Sequence, residues 1–310
     1  MTAPEPPTLV LGEALTDVLT GPDGPPRAVP GGSPANVALG LARLGHPVRL
    51  ATRVGRDGYG RQLQRHLGES GVVLTEGSVT DTRTSTATAR LTPDGAATYE
   101  FDIAWSLPPV ATEVPHAAHL HTGSIAAMLA PGAAQVRAAV AAARPTATVS
   151  YDPNIRPALL GEPAEERARV EELVALSDVV KASEEDLRRL HPAADAATVA
   201  ADWARTGPAL VVLTLGAAGA RAFWRHGSHT VAATPVTVVD TVGAGDAFMS
   251  GLLSGLLHAG LLGRRALLRT ATSTDALHPA ITDALLLASR CAAVTCGRPG
   301  ADPPRRGELA

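Results

Sequence analysis

Short apolar runs alternate with helix-length amphipathic stretches along most of the chain. Thr8–Leu11 is an apolar run closed by Gly12 and reads as a buried strand. Pro34–Leu44 places Val37, Leu41 and Leu44 at helical spacing; Ser33 can cap it, Pro34 suits its first turn and Gly45 ends it. Val48–Val54 predicts the next strand and Gly60–Ser70 the next helix, stopped by Gly71. Thr84–Leu91 then alternates in the rhythm of a strand, Pro93-Asp94-Gly95 supplies a turn, and Ala97–Ile103 runs back. This Thr-rich hairpin has one wetter face and interrupts the strand–helix alternation.

Beyond it, strands are predicted over His119–Thr122, Ala147–Asp152, Val179–Lys181 and Ala209–Leu215, with helices over Gly132–Ala143, Glu165–Leu176, Glu184–Leu190 and Ala197–Arg205. A small hairpin, Arg221–Trp224 with His229–Ala232, and strand-like Val236–Val239 precede a helical zone over Ala244–Ala259. The remainder is helical to about Val294, followed by a Pro-rich, charged tail over Arg298–Ala310. This order implies an α/β fold with a mostly parallel sheet covered on both faces. The Gly- and Pro-rich Gly21–Gly32 reads as a loop or irregular edge segment, and no repeat or low-complexity linker divides the chain. One main domain, 1–310, with a small β excursion is the expected organisation.

Composition narrows the partners. With 310 residues, 45% of them hydrophobic but only 3% aromatic, a large core must be built from Ala, Val and Leu. The net charge of −3 lacks the basic footprint of nucleic-acid binding, although a local site can still attract an anion. Two cysteines, Cys291 and Cys296, are too few for a disulfide framework and read as reduced thiols of a cytoplasmic protein. Met1–Pro7 has no basic region ahead of an apolar segment, as a signal peptide would. The Leu-rich Phe248–Leu262 is short and interrupted by His258 and glycines, so no membrane span is expected.

The segment with most chemical content is Asp240-Thr241-Val242-Gly243-Ala244-Gly245-Asp246-Ala247-Phe248, at the start of a helical pattern. Small residues at such a turn leave backbone N–H groups free to face an anion, and the helix N-terminus adds partial positive charge. Asp246 could accept a proton from a hydroxyl attacking a phosphate cradled by Gly243, Ala244 and Gly245. An acidic residue favouring the helix dipole, with glycines for tight packing, is the alternative. The chain has neither a G-x-x-x-x-G-K-[ST] loop nor the protein-kinase motifs, so phosphoryl transfer requires a different cradle.

Asp240–Asp246 resembles the C-terminal signature of the ribokinase-like (PfkB) carbohydrate kinases, and Gly31-Gly32-Ser33-Pro34-Ala35-Asn36-Val37-Ala38 resembles their N-terminal signature. The two stand in the family's order, and the resemblance covers essentially the whole chain. It implies a ribokinase-like doubly wound sheet with a small β lid, formed by about 13–30 and 83–104, that closes over the sugar. It further implies Asp246 as catalytic base and Gly243–Gly245 as anion hole. Asp17, Gly31, Gly32 and Asn36 correspond to sugar-binding positions; a carboxylate and an amide read vicinal hydroxyls, and a glycine allows close approach. The cofactors implied are ATP and Mg²⁺, with K⁺ as a further candidate, and two copies pairing through their lids are the implied assembly.

Further matches bear on the substrate. Tyr151-Asp152-Pro153-Asn154-Ile155-Arg156-Pro157 resembles the D-P-N-x-R segment of fructokinases and 2-keto-3-deoxygluconate kinases, where Arg156 could stabilise transferring phosphate charge. Lys181-Ala182-Ser183-Glu184 lies where many relatives have N-x-x-E, a segment linked to magnesium and phosphate; Glu184 is retained while Lys181 replaces Asn, as is common in fructokinase-like sequences. Thr214, Gly216 and Gly219 match a strand end bordering the nucleotide, Cys296–Ala301 a loop near the adenine, and Asp240 with the Val242 carbonyl a monovalent-cation neighbourhood. Together with Gly12-Glu13-Ala14 these matches favour fructose as acceptor. The same chemistry on 2-keto-3-deoxygluconate, ribose or a nucleoside, and a catalytically silent sugar or nucleotide sensor, are the alternatives. His119 and His121 share one face of a strand and could in principle share a metal, but no third ligand at suggestive spacing accompanies them, so no transition-metal site is expected there.

Overall fold

The computed structural model describes residues 6–20, 26–91, 97–159 and 161–309. In chain order the elements begin β1 (Thr8–Leu11), β2 (Leu15–Thr20), β3 (Arg27–Gly31), α1 (Ser33–Arg43), β4 (Val48–Ala51), β5 (Val54–Gly55), α2 (Gly58–Gly68), β6 (Val72–Leu74), β7 (Val79–Thr80), β8 (Thr86–Leu91) and β9 (Ala97–Asp102). There follow β10 (His119–Gly123), α3 (Ser124–Met128), α4 (Gly132–Ala143), β11 (Thr148–Asp152), α5 (Pro163–Leu176), β12 (Val179–Ser183), α6 (Glu184–Leu190) and α7 (Ala196–Thr206). The chain closes with β13 (Leu210–Thr214), β14 (Ala220–Trp224), β15 (Gly227–Val231), α8 (Ala244–His258), α9 (Arg265–Ala271) and α10 (Pro279–Cys296).

Nine strands form one sheet in the order β15-β14-β13-β12-β11-β10-β1-β4-β6, parallel from β13 to β6 with β14 and β15 antiparallel at one edge. Every residue of β1, β10 and β11 is buried, as expected of strands covered on both faces. One cluster joins one face to α4, α5, α6 and α7 through Val140, Val170, Leu187 and Trp203; the other joins the opposite face to α1, α2, α8 and α10 through Leu39, Leu63, Leu252 and Leu285. The chain leaves β1 toward β4 and β6 on one side, then continues through β10 to β13 on the other. The order therefore reverses at β1 and β10, and the C-terminal ends of these strands open the crevice where doubly wound folds bind ligands. Over this crevice stands a second sheet, β3-β2-β8-β9, entered directly from the end of β1 and left through Gly31 and Gly32 into α1.

Three expectations need correcting. Val236–Val239 forms no strand: Val236, Val238 and Val239 are exposed, and the backbone amides of Val239 and Asp240 both donate to the Cys296 carbonyl instead of to a sheet neighbour. Gly21–Gly32 is not all irregular, because Arg27–Gly31 pairs antiparallel with β2 as β3; residues 21–25, like the Pro93-Asp94-Gly95 turn, lie outside the described residues. Ser33 does not cap α1. Gly32, at φ 103°, occupies the cap position without a side-chain bond, and Ser33 is the first helical residue.

The helix that carries the second signature is seated unusually close to its neighbour. A methyl group on Gly255 would lie 2.6 Å from the Ala284 Cα, and one on Gly251 2.8 Å from the Ala288 Cα. The missing side chains let α8 and α10 approach backbone to backbone. By length and mean hydropathy α10 could cross a membrane, but here Ala284, Ala288 and Cys291 pack it into the core. Gly255→Leu should therefore force the pair apart and cost at least about 1–3 kcal/mol in urea unfolding; an unchanged midpoint would refute this packing account.

Candidate active site

The two sequence signatures meet on one carboxylate. Asp246 lies in the first turn of α8 and is 6% exposed. Its Oδ1 accepts from Ser33 Oγ at 2.7 Å and its Oδ2 from Asn36 Nδ2 at 2.8 Å, bonds that span 213 and 210 residues of sequence. Asn154 Nδ2 donates to Ser33 Oγ at 2.8 Å and reaches Asp246 Oδ1 at 3.3 Å. Arg156 Nη1 donates to Asn154 Oδ1 at 2.6 Å, which fixes the amide with its NH₂ toward Ser33. Arg156 thus buttresses the grip through Asn154. A carboxylate has about four lone-pair sites, and three donors leave room for one further hydroxyl.

The turn into α8 is shaped by backbone. Gly243 caps α8 at φ 76°, the left-handed region that favours glycine, and a Cβ there would come within 2.5 Å of the Ala301 Cβ. Gly243, Ala244 and Gly245 are half-buried, and first-turn amides of a helix have no intrahelical acceptors. Asp240 ties this turn to the loop after α10: its Oδ1 accepts from Val242 N at 3.0 Å and its Oδ2 from Gly300 N at 2.8 Å. The Val242 bond first, then those of Gly300 and Thr241, hold the Asp240 carboxyl below its ordinary range despite partial burial.

Lys181 brings a fixed positive charge to the same place. It is 3% exposed in the middle of β12, and its Nζ lies 2.6 Å from Asp152 Oδ2. A methyl group on Gly245 would sit 3.2 Å from that Nζ, so the ammonium faces the first turn of α8. Burial opposes the charge, but Asp152, Asp186 and Asp246 together raise Lys181 above its ordinary value. Burial also pushes Asp152 up; Lys181 remains the stronger base, so the proton resides on the ammonium. Glu184, in contrast, opens α6 half-exposed, with its Oε1 paired to Arg188 at 2.9 Å. Its neighbour Asp186 turns inward: Oδ1 accepts from Ile155 N at 2.8 Å and Oδ2 from Ser183 N at 2.9 Å, which locks the D-P-N-x-R loop to the start of α6.

On the β-sheet side, Asp17 on β2 faces Gly31 on β3. A Cβ on Gly31 would stand 2.1 Å from Asp17 Oδ2, so only glycine admits the carboxylate. Burial raises Asp17 to about 6; Arg156 counteracts and Asp246 adds to the rise. A Cβ on Gly32 would meet the Glu13 carbonyl at 2.6 Å. Glu13 is fully buried behind them, with Oε2 accepting from Ala126 N at 2.9 Å, and burial raises it to about 7. Thr214 Oγ1 donates to the Ala182 carbonyl, and Gly216 and Gly219 both take positive φ, 56° and 94°, in the turn leading into β14.

Asn36 thus bonds Asp246 directly and Arg156 reaches it through Asn154, while Lys181 acts on Asp246, and Arg156 on Asp17, electrostatically. Asp152, Asn154 and Asp186 were not assigned roles from sequence, although the first two stand inside the D-P-N-x-R match and Asp186 completes a capping box with Ser183. His119 and His121 are core residues: they bond to Thr148 and Ser150, and burial lowers them to about 4 and about 3. No group of three metal-ligating side chains occurs among the described residues, and both cysteines are free.

Known proteins resemble the chain in sequence and fold. The chain is 38% identical to a fructokinase of Klebsiella pneumoniae over 266 residues, 81% of this chain and 85% of the relative. It superposes on the crystal structure of a Xylella fastidiosa fructokinase with bound ATP at a TM-score of 0.82 and 28% identity, covering 97% of both chains. A double-mutant fructokinase of Vibrio cholerae O395, in its fructose-, ADP- and potassium-bound form, matches at 0.76 and 30% identity, covering 97% of this chain and 96% of that one. Residues 19–306 match the family model of the pfkB carbohydrate kinases, and the chain belongs to that family: it is a carbohydrate kinase with the ribokinase-like α/β fold.

Proposed function

We propose that the protein transfers the γ-phosphoryl group of ATP to a hydroxyl of fructose, with Asp246 as the base. The observation that carries this reading is the Asp246 carboxylate, aimed by Ser33, Asn36 and Asn154 and placed one turn from the Gly243–Gly245 amides. The fructokinase relatives, one of them holding fructose and ADP, support fructose as the acceptor.

In this mechanism the sugar lies between the C-terminal ends of β1 and β10 and the β2–β8 sheet, which acts as a lid. Asp17 and Asn36 accept from and donate to its hydroxyls, and Gly31 and Gly32 let it approach the backbone. One hydroxyl takes the free lone pair of Asp246 and attacks the γ-phosphorus in line as Asp246 removes its proton; the bond from that phosphorus to the β,γ-bridging oxygen breaks, and ADP leaves with its electron pair. Charge developing on the phosphoryl oxygens meets the α8 amides and the Lys181 ammonium, donors already in place before reaction. Closure of the lid excludes water, the competing acceptor.

Mg²⁺ enters with ATP as part of the substrate, held by its phosphates, with Glu184 the carboxylate available to its water shell. A potassium ion beside Asp240 and the Val242 carbonyl belongs to the same reading; the relative with bound potassium and the ionised, doubly anchored Asp240 support it. Pairing of two copies through the lid is supported by its exposed Leu19 and by the open edges of β3 and β9.

Asp246→Asn should retain the fold and ATP binding and lower fructose-dependent ADP release by about 10²–10⁴-fold; near-normal turnover would remove Asp246 as base. The pH dependence follows from Asp17. With its carboxyl raised to about 6, it is ionised above that pH and accepts from sugar hydroxyls, and it becomes protonated as pH falls through 6. The kcat/KM for fructose should thus drop about tenfold from pH 7 to pH 5. Asp17→Asn should flatten this limb, and an unchanged limb in that variant would exclude Asp17 as its source.

A further inference from the structure

The opposite end of the sheet carries a feature that the kinase reaction does not use. Before β13 the chain passes Gly207, Pro208 and Ala209, which line a cleft of about 380 Å³. Four arginines from separate elements also line it: Arg144 at the end of α4, Arg205 in the last turn of α7, Arg225 in the β14–β15 turn and Arg269 in the last turn of α9. No carboxylate lines the cleft.

The arginines are largely unspent. Arg205 pairs with Asp202. Arg144 and Arg269 each donate one bond to a main-chain carbonyl, those of Ala175 at 3.2 Å and Gly207 at 3.4 Å. Arg225 has neither an ion pair nor a side-chain hydrogen bond among the described residues. Each guanidinium has five N–H donors, so most remain available. The nearby buried acid, Asp178, offers no compensation, because its oxygens accept from Arg265 Nε and Nη2 at 2.5 and 3.0 Å and from Val149 N at 2.9 Å. The C-terminal partial charge of a helix explains a basic residue on each of α4, α7 and α9 taken singly. It does not explain why the three converge on one cleft, or why Arg225 joins them from a hairpin turn. Like charges gathered this way repel one another until a counter-charge arrives, and the planar forks of arginine match phosphate oxygens in pairs.

We propose that this cleft, lined by Arg144, Arg205, Arg225 and Arg269, binds a small organic phosphate. The site is separate from the substrate crevice, since Leu210 begins β13 beside the cleft while Thr214 ends it at the crevice.

The test is calorimetric titration of 3-phosphoglycerate and glycerol 3-phosphate into the full chain with fructose and Mg·ADP at saturation, so that the substrate crevice is filled. Saturable binding of one equivalent of at least one of the two is expected. It should weaken at least about tenfold in Arg225→Ala/Arg269→Ala, a variant with wild-type kcat and thermal midpoint. Absence of saturable binding, or equal binding by the variant, would overturn the proposal. Equal affinity for inorganic phosphate or for citrate would overturn the organic-phosphate assignment in favour of a general anion patch.

Discussion

The whole arrangement depends on holding one carboxylate still at a helix N-terminus. Asp246 is gripped by side chains from α1 and from the loop after β11, and it rides on α8, which is seated by glycine contacts on α10. Hydrogen bonds to a charged acceptor contribute about 1.5–3 kcal/mol each, enough to select one rotamer and to couple three segments distant in sequence. The doubly wound order makes that coupling possible. It places the ends of β1 and β10 side by side, so that the chain entering α1 and the chain leaving β11 both arrive at the start of α8.

Charge around this carboxylate is arranged in two zones. On the sheet side a buried ammonium, Lys181, stands amid Asp152, Asp186 and Asp246 and faces the first turn of α8. On the β2 side Glu13 and Asp17 are raised by burial, with Arg156 as the nearby counter-charge. In the proposed reaction, Asp246 would thus lie between a positively charged phosphate cradle and acceptors suited to neutral hydroxyls. That separation matches a reaction in which an uncharged alcohol meets a highly charged donor.

Most of the fold was legible because period and punctuation agreed. Glu184–Leu190 and Gly132–Ala143 were predicted at their observed bounds, and the parallel core strands within a few residues. The two signatures could be read because small residues leave few alternatives at tight turns: Gly243 needs positive φ, and Gly31 needs room for Asp17. The failures have equally local causes. Val236–Val239 has strand composition, but the Cys296 carbonyl takes its amides and exposure replaces pairing. Ser33 looked like a cap because serine usually is one, whereas a long-range acceptor, Asp246, claims its hydroxyl. Asp186 has a sequence signature only for its capping box with Ser183, and neither its bond to Ile155 nor those of Asn154 to Ser33 and Asp246 can be identified from spacing. The arginine cleft is assembled from four elements spread over more than a hundred residues, so no window of sequence contains it.

The most direct test of the account is ADP release from Mg·ATP by the wild-type chain in the presence of fructose, 2-keto-3-deoxygluconate, ribose or adenosine. The account predicts acceptor-dependent turnover with the highest kcat/KM for fructose. Higher kcat/KM for another acceptor would contradict fructose as the substrate while leaving the phosphoryl-transfer geometry in place. Silence with all four, in a protein that still binds ATP and fructose, would contradict the central claim that the gripped Asp246 carboxylate is a working base.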